Sequence, residues 1–241
     1  MKTTVVIPSR YGSSRFPGKP LAMIRGKPLL QHTIEQVIKC KEVDYISVAT
    51  DDKRIYDFVR SLKFNVFMTP ETCKSGTDRL AFVASKFLKN YENFINVQGD
   101  EPLIDPDLID NLARSLKKNK RVEYITAAFP IKDKNSINNP NIVKVVFDKN
   151  MDVLYFSRFA IPYNRDNSKV KYYKHIGIYG YKKKFLLEFS KSKSSSLEKA
   201  ENLEQLRPLE NAKKIRIILA KKDSVEVDSP GDIAKVEKYL H

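Results

Sequence analysis

Residues 5–21 read VVIPSRYGSSRFPGKPL, a short β-branched run that leads into a loop carrying Arg10, Arg15 and Lys19 beside two glycines. After Pro28 the apolar residues recur at helical spacing, so the order is strand, loop and helix. Glycines let a backbone approach a ligand closely, and cations neutralise the ligand's charge. We therefore predict a site for several phosphates in this loop. A solvated basic loop is the simpler alternative.

The spacing of this loop excludes two common phosphate-binding motifs. A Walker A loop has four residues between its glycines and a Ser or Thr after the lysine. Here five residues separate Gly12 from Gly18, and Pro20 follows Lys19. The Gly-x-Gly-x-x-Gly pattern of dinucleotide-binding Rossmann domains is also absent. The predicted phosphate site is therefore of another kind.

The composition describes a basic globular chain. Its 241 residues, 41% of them hydrophobic, suffice for a large core, and we expect a single domain over residues 1–241. The 44 Lys and Arg against 29 Asp and Glu give a formal charge of +15, which raises nucleic-acid binding as an option. The lysines, however, are scattered over most predicted helices, without a basic-aromatic RNA-binding pattern or zinc-finger spacing. We expect no nucleic-acid partner.

Location and redox state also follow from the sequence as expectations. No apolar run approaches the roughly 18 residues that a membrane helix needs. The first residues, Met1–Thr4, lead directly into a strand and leave no room for a signal peptide. Cys40 and Cys73 lack the spacing of metal ligands and are too few for a disulfide framework. We expect a cytoplasmic protein with reduced thiols and no membrane partner.

The first half of the chain alternates between strand-like and helix-like patterns. Repeated βα units of this length predict an α/β fold with a mostly parallel sheet covered on both faces. Ligands of such sheets gather at the carboxyl ends of the strands, where the loop after the first strand lies. The predicted elements are strands at 4–8, 45–50, 65–68 and 94–98 and helices after residue 28, at about 52–62, after residue 78 and at 106 to about 116.

The second half changes character. Extended patterns at 124–131 and 143–147 enclose a turn-rich stretch, and an irregular stretch precedes a strand at 175–181. We expect an antiparallel segment, about residues 132–175, inserted at one edge of the sheet and used for dimerisation. A helix around 197–206, a strand at 215–220 and a final helix from about residue 230 complete the prediction.

Two separate carboxylates are candidate metal ligands. Asp100 directly follows a predicted buried strand on a glycine turn, and Mg²⁺ prefers a few hard oxygens together with substrate phosphate oxygens. Asp100 as a turn former is the simpler alternative, and Glu101, before Pro102, is equally a ligand candidate or a solvated turn residue. Asp228 precedes a helix that begins near Pro230, so it is either a helix cap or a second metal ligand.

Other polar residues have structural readings as well as functional ones. Arg79 falls in the first turn of a helix, where a cation opposes the helix dipole, so a ligand or a buried partner is expected. Asp52 has the position of a helix cap, although Thr50–Asp52 could contact a sugar hydroxyl. His175 begins an apolar strand, as a core histidine does, and residues 201–207 have the pattern of a salt-bridged amphipathic helix.

Taken together, six segments resemble the ordered signature of the 3-deoxy-manno-octulosonate cytidylyltransferases, also called CMP-Kdo synthetases. The resemblance covers nearly the whole chain. The first segment is shared by many sugar nucleotidyltransferases, whereas the last three are far more specific. The six segments are Ser9–Leu21, Ser75–Arg79, Asn96–Pro102, Leu154–Arg158, His175–Tyr181 and Leu203–Arg207.

The resemblance implies a Rossmann-like nucleotidyltransferase fold, with a mostly parallel central sheet flanked by helices, assembled as a homodimer. The implied reaction joins CTP to 3-deoxy-manno-octulosonate (Kdo), with Mg²⁺, and gives CMP-Kdo and pyrophosphate for lipopolysaccharide assembly. Cytidylyltransfer to an amino analogue of Kdo or to a sialic-type acid is the nearest alternative. A basic nucleic-acid-binding module is the alternative from another class.

The resemblance also implies roles for individual residues. The nucleotide would be held by Arg10, Ser13, Arg15, Lys19, Ser75 and Arg79, the metal by Asp100 and Asp228, and the sugar acid by Gln98, Arg158, His175, Tyr179 and Glu201. Arg10, Arg15, Lys19 and Asp100 would carry the catalysis. This chain departs from the family's pattern at Phe16, where leucine is common, and at Glu226, where glycine is common.

Overall fold

The computed structural model describes residues 1–12, 15–166 and 168–240. The described strands are β1 (Thr3–Pro8), β2 (Met23–Ile24), β3 (Lys27–Pro28), β4 (Tyr45–Thr50), β5 (Val66–Met68), β6 (Asn93–Val97), β7 (Tyr124–Pro130), β8 (Lys144–Phe147), β9 (Val153–Ser157), β10 (Tyr173–Lys182) and β11 (Arg216–Leu219). The described helices are α1 (Leu29–Val37), α2 (Lys53–Ser61), α3 (Gly76–Lys86), α4 (Pro106–Lys118), α5 (Lys134–Asn138), α6 (Lys183–Lys191), α7 (Ser196–Glu201), α8 (Leu206–Glu210) and α9 (Ile233–Glu237).

The central sheet has the strand order β11-β7-β10-β6-β1-β4-β5. Neighbouring strands are parallel except at β10, which is antiparallel to both β6 and β7. The mostly parallel α/β sheet predicted from the sequence is therefore confirmed. Among the described helices none is long and apolar enough to cross a membrane.

Burial on both faces explains why β1 has a continuous apolar sequence rather than an alternating one. Every residue of β1 is buried. Val5 and Ile7 pack on one face with α1, α2 and α4, whereas Val6 packs on the other face with α3 and α6. The loop after β1 thus starts from a rigid, fully packed strand.

The antiparallel excursion in the second half is present. β8 pairs with β9 and contacts β10 through Lys174 and Lys144, all antiparallel. Residues 158–172 between β9 and β10 contain no helix or strand among those the structure describes, as predicted. β9 itself was not predicted, because its burial pattern does not alternate regularly.

The single helix predicted around residues 197–206 is wrong. The structure has two short helices there, α7 and α8, separated at Asn202, which adopts a left-handed backbone conformation with φ 53°. Asparagine tolerates this conformation and commonly ends a helix in this way. α6 was missed because its first residues belong to a lysine cluster that gave no apolar periodicity.

Candidate active site

The loop after β1 is shaped by Gly18 and Tyr11. Gly18 has φ 72°, which favours glycine, and its N–H donates to the Tyr11 carbonyl over 2.9 Å. A Cβ at Gly18 would lie 2.9 Å from the Tyr11 ring, and the Arg54 guanidinium lies 3.3 Å from the centre of that ring. The loop is therefore packed, and a 3₁₀ turn at Lys19–Leu21 directs Lys19 toward the end of β6.

Lys19 lies between the two carboxylates that the sequence proposed as metal ligands. Its Nζ is 2.5 Å from Asp100 Oδ2 and 3.7 Å from Asp228 Oδ1. Arg15 Nη1 is 2.9 Å from Asp228 Oδ2. The structure thus brings together Arg15, Lys19, Asp100 and Asp228, although 128 positions of sequence separate the two aspartates (228 − 100).

A backbone hydrogen bond holds Asp228 at this place. The Val227 N–H donates to the Asp100 carbonyl over 3.0 Å, and the Val227 side chain is fully buried beside Ile24 and Leu29. Ser229, not Asp228, caps the following turn, in a capping box with Asp232. The cap interpretation of Asp228 is therefore wrong, and its carboxylate faces the basic loop.

A cavity of about 360 Å³ opens beside these residues and has the chemistry of a nucleotide site. Ser75 caps α3 at its wall, so the amino terminus of this helix faces the cavity. Arg79 is only 3% exposed, and its guanidinium bonds Asp51 over 2.7 Å and Thr69. It therefore has the buried partner that the sequence suggested. The lining includes Arg10, Arg15, Lys19, Lys74, Ser75, Arg79, Gln98, Asp100 and Asp228.

A second cavity, of about 800 Å³, adjoins the first. Arg15 and Asp228 line both, so the two cavities meet where the carboxylates converge. The wall of the second cavity includes Glu101, Asn139, Ile142, Arg158, Lys174, His175, Tyr179, Glu204, Gln205 and Glu226. Of the residues predicted to hold the sugar acid, Arg158, His175 and Tyr179 lie here, whereas Gln98 lines the first cavity.

His175 is a neutral hydrogen-bonding residue in this wall. Burial lowers its pKa to about 3. Its Nε2 lies 2.8 Å from the Thr126 hydroxyl, which donates its own hydrogen to the Ile178 carbonyl over 2.7 Å. Nε2 therefore carries the imidazole proton, and Nδ1 is left as the acceptor facing the Gln205 amide at 3.5 Å.

Glu201 lies outside both cavities. One carboxylate oxygen accepts from the Ser157 hydroxyl over 2.6 Å and the other from the Arg158 N–H over 2.9 Å. The geometry gives Glu201 a role in holding Arg158, and its contact with the sugar stays a prediction. Ser13, predicted to bind the triphosphate, lies outside the described residues.

The sequence missed the placement of two acidic residues of this region. Glu101 is only 4% exposed and accepts from the Ser224 hydroxyl, so the solvated-turn interpretation is wrong. Burial raises its pKa to about 7. Glu204 accepts from Ser75 over 3.1 Å and from Thr77 over 2.8 Å, and it thus joins the wall of the second cavity to the start of α3. The only sequence signal for Glu204 was its place in the Leu203–Arg207 segment of the family resemblance. No sequence pattern indicated the burial of Glu101.

The donor set fits a magnesium ion that binds together with phosphates. Within the described part of the chain, no group of three or more His, Cys, Asp and Glu side chains could hold a metal ion by itself. Asp100 and Asp228 nevertheless converge on one cationic atom, Lys19 Nζ, as two ligands of one ion would. Mg²⁺ commonly takes one or two protein carboxylates and completes its shell with water and substrate phosphates. Glu226 contacts Asp228 without displacing it from Lys19.

Comparison with known proteins agrees with this geometry. A family model described as cytidylyltransferase matches residues 4–215. This chain belongs to the cytidylyltransferase family. The resemblance found in its sequence motifs is thereby confirmed.

The relatives of this cytidylyltransferase have two kinds of name. It is 46% identical to a 3-deoxy-manno-octulosonate cytidylyltransferase of Syntrophus aciditrophicus, over 99% of this chain and 97% of the relative. It is 47% identical to an 8-amino-3,8-dideoxy-manno-octulosonate cytidylyltransferase of Shewanella frigidimarina, over 100% and 99%. A solved CMP:2-keto-3-deoxy-manno-octonic acid synthetase in complex with CTP superposes with a TM-score of 0.94 at 38% identity, covering 100% of this chain and 98% of that one.

Proposed function

We propose that this cytidylyltransferase couples CTP to Kdo and releases CMP-Kdo and pyrophosphate for lipopolysaccharide assembly. The observation that carries the proposal is the meeting of two cavities at Asp228 and Arg15, with Lys19 between two carboxylates. One cavity has the cations and helix terminus that a triphosphate requires, and the other has the cations that an acid sugar requires. The names of the relatives support the same pair of substrates.

The proposed reaction is a displacement at phosphorus. The anomeric 2-hydroxyl oxygen of Kdo forms a bond to the α-phosphorus of CTP while the bond from that phosphorus to the pyrophosphate oxygen breaks, and the hydroxyl proton passes to solvent or a base. Arg10, Arg15 and Lys19 line the nucleotide cavity, where their charges stabilise the leaving pyrophosphate. The reaction needs no covalent enzyme intermediate.

Charge repulsion between the two anionic substrates is the main obstacle, and the site addresses it from both cavities. Mg²⁺ held by Asp100 and Asp228 would neutralise phosphate charge and polarise the phosphoryl group. On the sugar side, Arg158 supplies a guanidinium, which can bind a carboxylate through two parallel N–H bonds. Neutral His175 and Tyr179 offer hydrogen bonds to the sugar hydroxyls without adding charge.

A substrate panel tests this proposal. Purified protein with Mg²⁺ is supplied with CTP, UTP or ATP and with Kdo, its 8-amino analogue or N-acetylneuraminate, and pyrophosphate release is measured. We expect release with CTP and Kdo. Preference for the 8-amino sugar would move the enzyme to its sister activity, and no release with any acid sugar would contradict the proposal. Tight DNA binding that weakens steeply with salt would instead favour the nucleic-acid alternative.

We further propose that the enzyme is a cytoplasmic homodimer, joined through the segment of about residues 132–175. Leu154 is 63% exposed, Phe159 79% and Tyr163 84%, although all three are large apolar or aromatic side chains. They lie on β9 and in the irregular stretch after it. An exposed apolar surface that includes such side chains commonly marks a protein interface.

A further inference from the structure

Lys144, the first residue of β8, is fully buried with 0% exposure. Its Nζ donates to three backbone carbonyls, those of Asn139 over 2.9 Å, Ile142 over 2.6 Å and Arg158 over 2.5 Å. An ammonium group has three N–H donors, and these three carbonyls satisfy all of them. Burial of a charge is costly unless it is fully hydrogen-bonded, so the buried ammonium requires these three carbonyls to stay in place.

The three acceptors share one property. Asn139, Ile142 and Arg158 all line the second cavity, the one proposed for the acid sugar. Lys144 therefore stands behind one wall of this cavity and ties together the two separate stretches of chain that form it, residues 139–142 and the start of the loop after β9. Neither stretch is held there by regular strand pairing.

Arg158 is fixed at its backbone and at its side chain. Lys144 holds its carbonyl, and Glu201 accepts from its N–H over 2.9 Å. Its guanidinium donates from Nε to the Glu201 carbonyl over 2.8 Å, from Nη1 to the Pro140 carbonyl over 3.0 Å and from Nη2 to the Asn202 carbonyl over 3.4 Å, which leaves one N–H on each Nη. Pro140 belongs to the stretch that Lys144 holds, so the position of Lys144 determines both where the Arg158 backbone lies and where one guanidinium acceptor lies.

We propose that Lys144 is a positioning residue for recognition of the acid sugar. By binding three wall carbonyls it holds Arg158 so that the remaining N–H groups of the guanidinium face the sugar carboxylate. This inference rests on the proposed function, in which Arg158 takes that carboxylate. An apolar residue of similar length would fill the space but leave three carbonyls without donors, and the wall would rearrange to satisfy them.

The first test is Lys144→Met with separate measurement of KM for the acid sugar, KM for CTP and kcat. We expect KM for the sugar to rise by about 10- to 100-fold, since a misplaced substrate-binding group costs this much, while KM for CTP stays within about twofold. Lys182→Met is the matched control, because Lys182 lies at the opposite end of β10, where its Nζ bonds the Asn93 side chain and the Leu116 carbonyl. It should leave both KM values unchanged.

A double-mutant cycle identifies the route of the effect. If Lys144 acts through Arg158, Lys144→Met should add nothing to the sugar KM of Arg158→Ala. Equal rises in both KM values, or effects of the two substitutions that multiply, would overturn the inference.

A measurement on the unsubstituted protein covers the case in which Lys144→Met does not fold. The ¹⁵N resonance of the Lys144 ammonium should shift when the acid sugar is added and not when CTP is added, and an unchanged resonance would overturn the inference. Wild-type turnover separates the two claims. If the wild type is active on an octulosonate but Lys144→Met leaves the KM for that sugar unchanged, only this inference is contradicted. A wild type inactive on both octulosonates contradicts the proposed function, and this inference with it.

Discussion

At the scale of single residues, the site is organised by opposite charges that hold one another in place. Lys19 bonds Asp100 and Arg15 bonds Asp228, with side-chain exposures of 12%, 26%, 66% and 29% respectively. The more accessible pair, Arg15 with Asp228, contributes little to stability, about 0–1 kcal/mol, whereas Lys19 and Asp100 are better shielded from water. Neither pair is formed chiefly for stability. Their main consequence is preorganisation, because both carboxylates already face the space where cations and phosphates would bind.

The proposed metal role of Asp100 is tested by Asp100→Asn. Loss of one ligand charge should lower kcat/KM on the order of 10²- to 10³-fold, as loss of a preorganised electrostatic contact does. Unfolding by urea should change little, and Mn²⁺ binding in the presence of CTP, followed by electron paramagnetic resonance, should weaken. Asp107→Asn, on the exposed side of α4, is the control. Near-normal activity of Asp100→Asn would refute the metal assignment.

His175 gives a prediction about acid stability. Its pKa is about 3 in the folded protein because of burial, whereas an exposed histidine titrates near 6.5. Between these values the unfolded chain binds a proton that the folded protein does not, so the free energy of unfolding falls as the pH drops below about 6.5. His175→Gln should remove about 1–2 kcal/mol of this loss between pH 6.5 and about pH 5. Parallel stability curves for the two proteins would contradict the assignment.

A residue's role could be predicted where neighbours in sequence determine it, and not where a distant segment does. The cap at Asp52 follows from neighbours in sequence and was predicted. The place of Asp228 follows from a hydrogen bond to Asp100, which no local pattern reveals. The burial of Glu101 was missed for the same reason, since it depends on a distant segment around Ser224.

At the scale of elements, β10 is the strand that links the two parallel parts of the central sheet. It joins β6 to β7 as the one antiparallel strand of the described seven-strand order, and it carries His175 in its first half and Tyr179 in its second. Near Gly177 its pairing with β7 shifts register, so the strand bends beside the second cavity. The remaining half packs closely under α4.

Gly180 tests how tightly β10 packs against α4. An added Cβ would lie 2.6 Å from Ile125 Cγ2 and 2.9 Å from Leu116 Cδ1, so these side chains would have to move. We expect Gly180→Ala to lower the free energy of unfolding by about 1–3 kcal/mol in urea titrations. Gly231→Ala is the matched control, because the nearest atom to its Cβ would be Ser229 Oγ at 3.8 Å. Equal stabilities of the two variants would refute the packing argument.

Elements with one clear period were predictable, and those with a mixed environment were not. β1 and β4 were found within a residue of their true bounds because they are apolar runs between polar loops. The split between α7 and α8 depends on the left-handed Asn202 and on Glu201, which is engaged with Ser157 and Arg158. These are tertiary constraints, and they override a helical pattern that is locally acceptable.

At the scale of the whole molecule, the proposed dimer predicts a concentration-dependent mass. Wild type should sediment as a dimer, and the double substitution Phe159→Ser with Tyr163→Ser should sediment as a folded monomer, because both side chains are almost fully exposed in a single chain. Phe87→Ser is the control, since Phe87 is 49% exposed at the end of α3. A wild-type monomer at all concentrations would refute the proposed assembly.

The hydrogen bond from Val227 to Asp100 has a consequence for the order in which the site forms during translation. During translation Asp100 leaves the ribosome long before Asp228, and the strands of the central sheet are all synthesised in between or earlier. A nascent chain can therefore shape its sheet and its basic loop while it still lacks the second carboxylate. On the proposed function, the site is complete only once Asp228 has been synthesised and its segment packs back against the loop after β6.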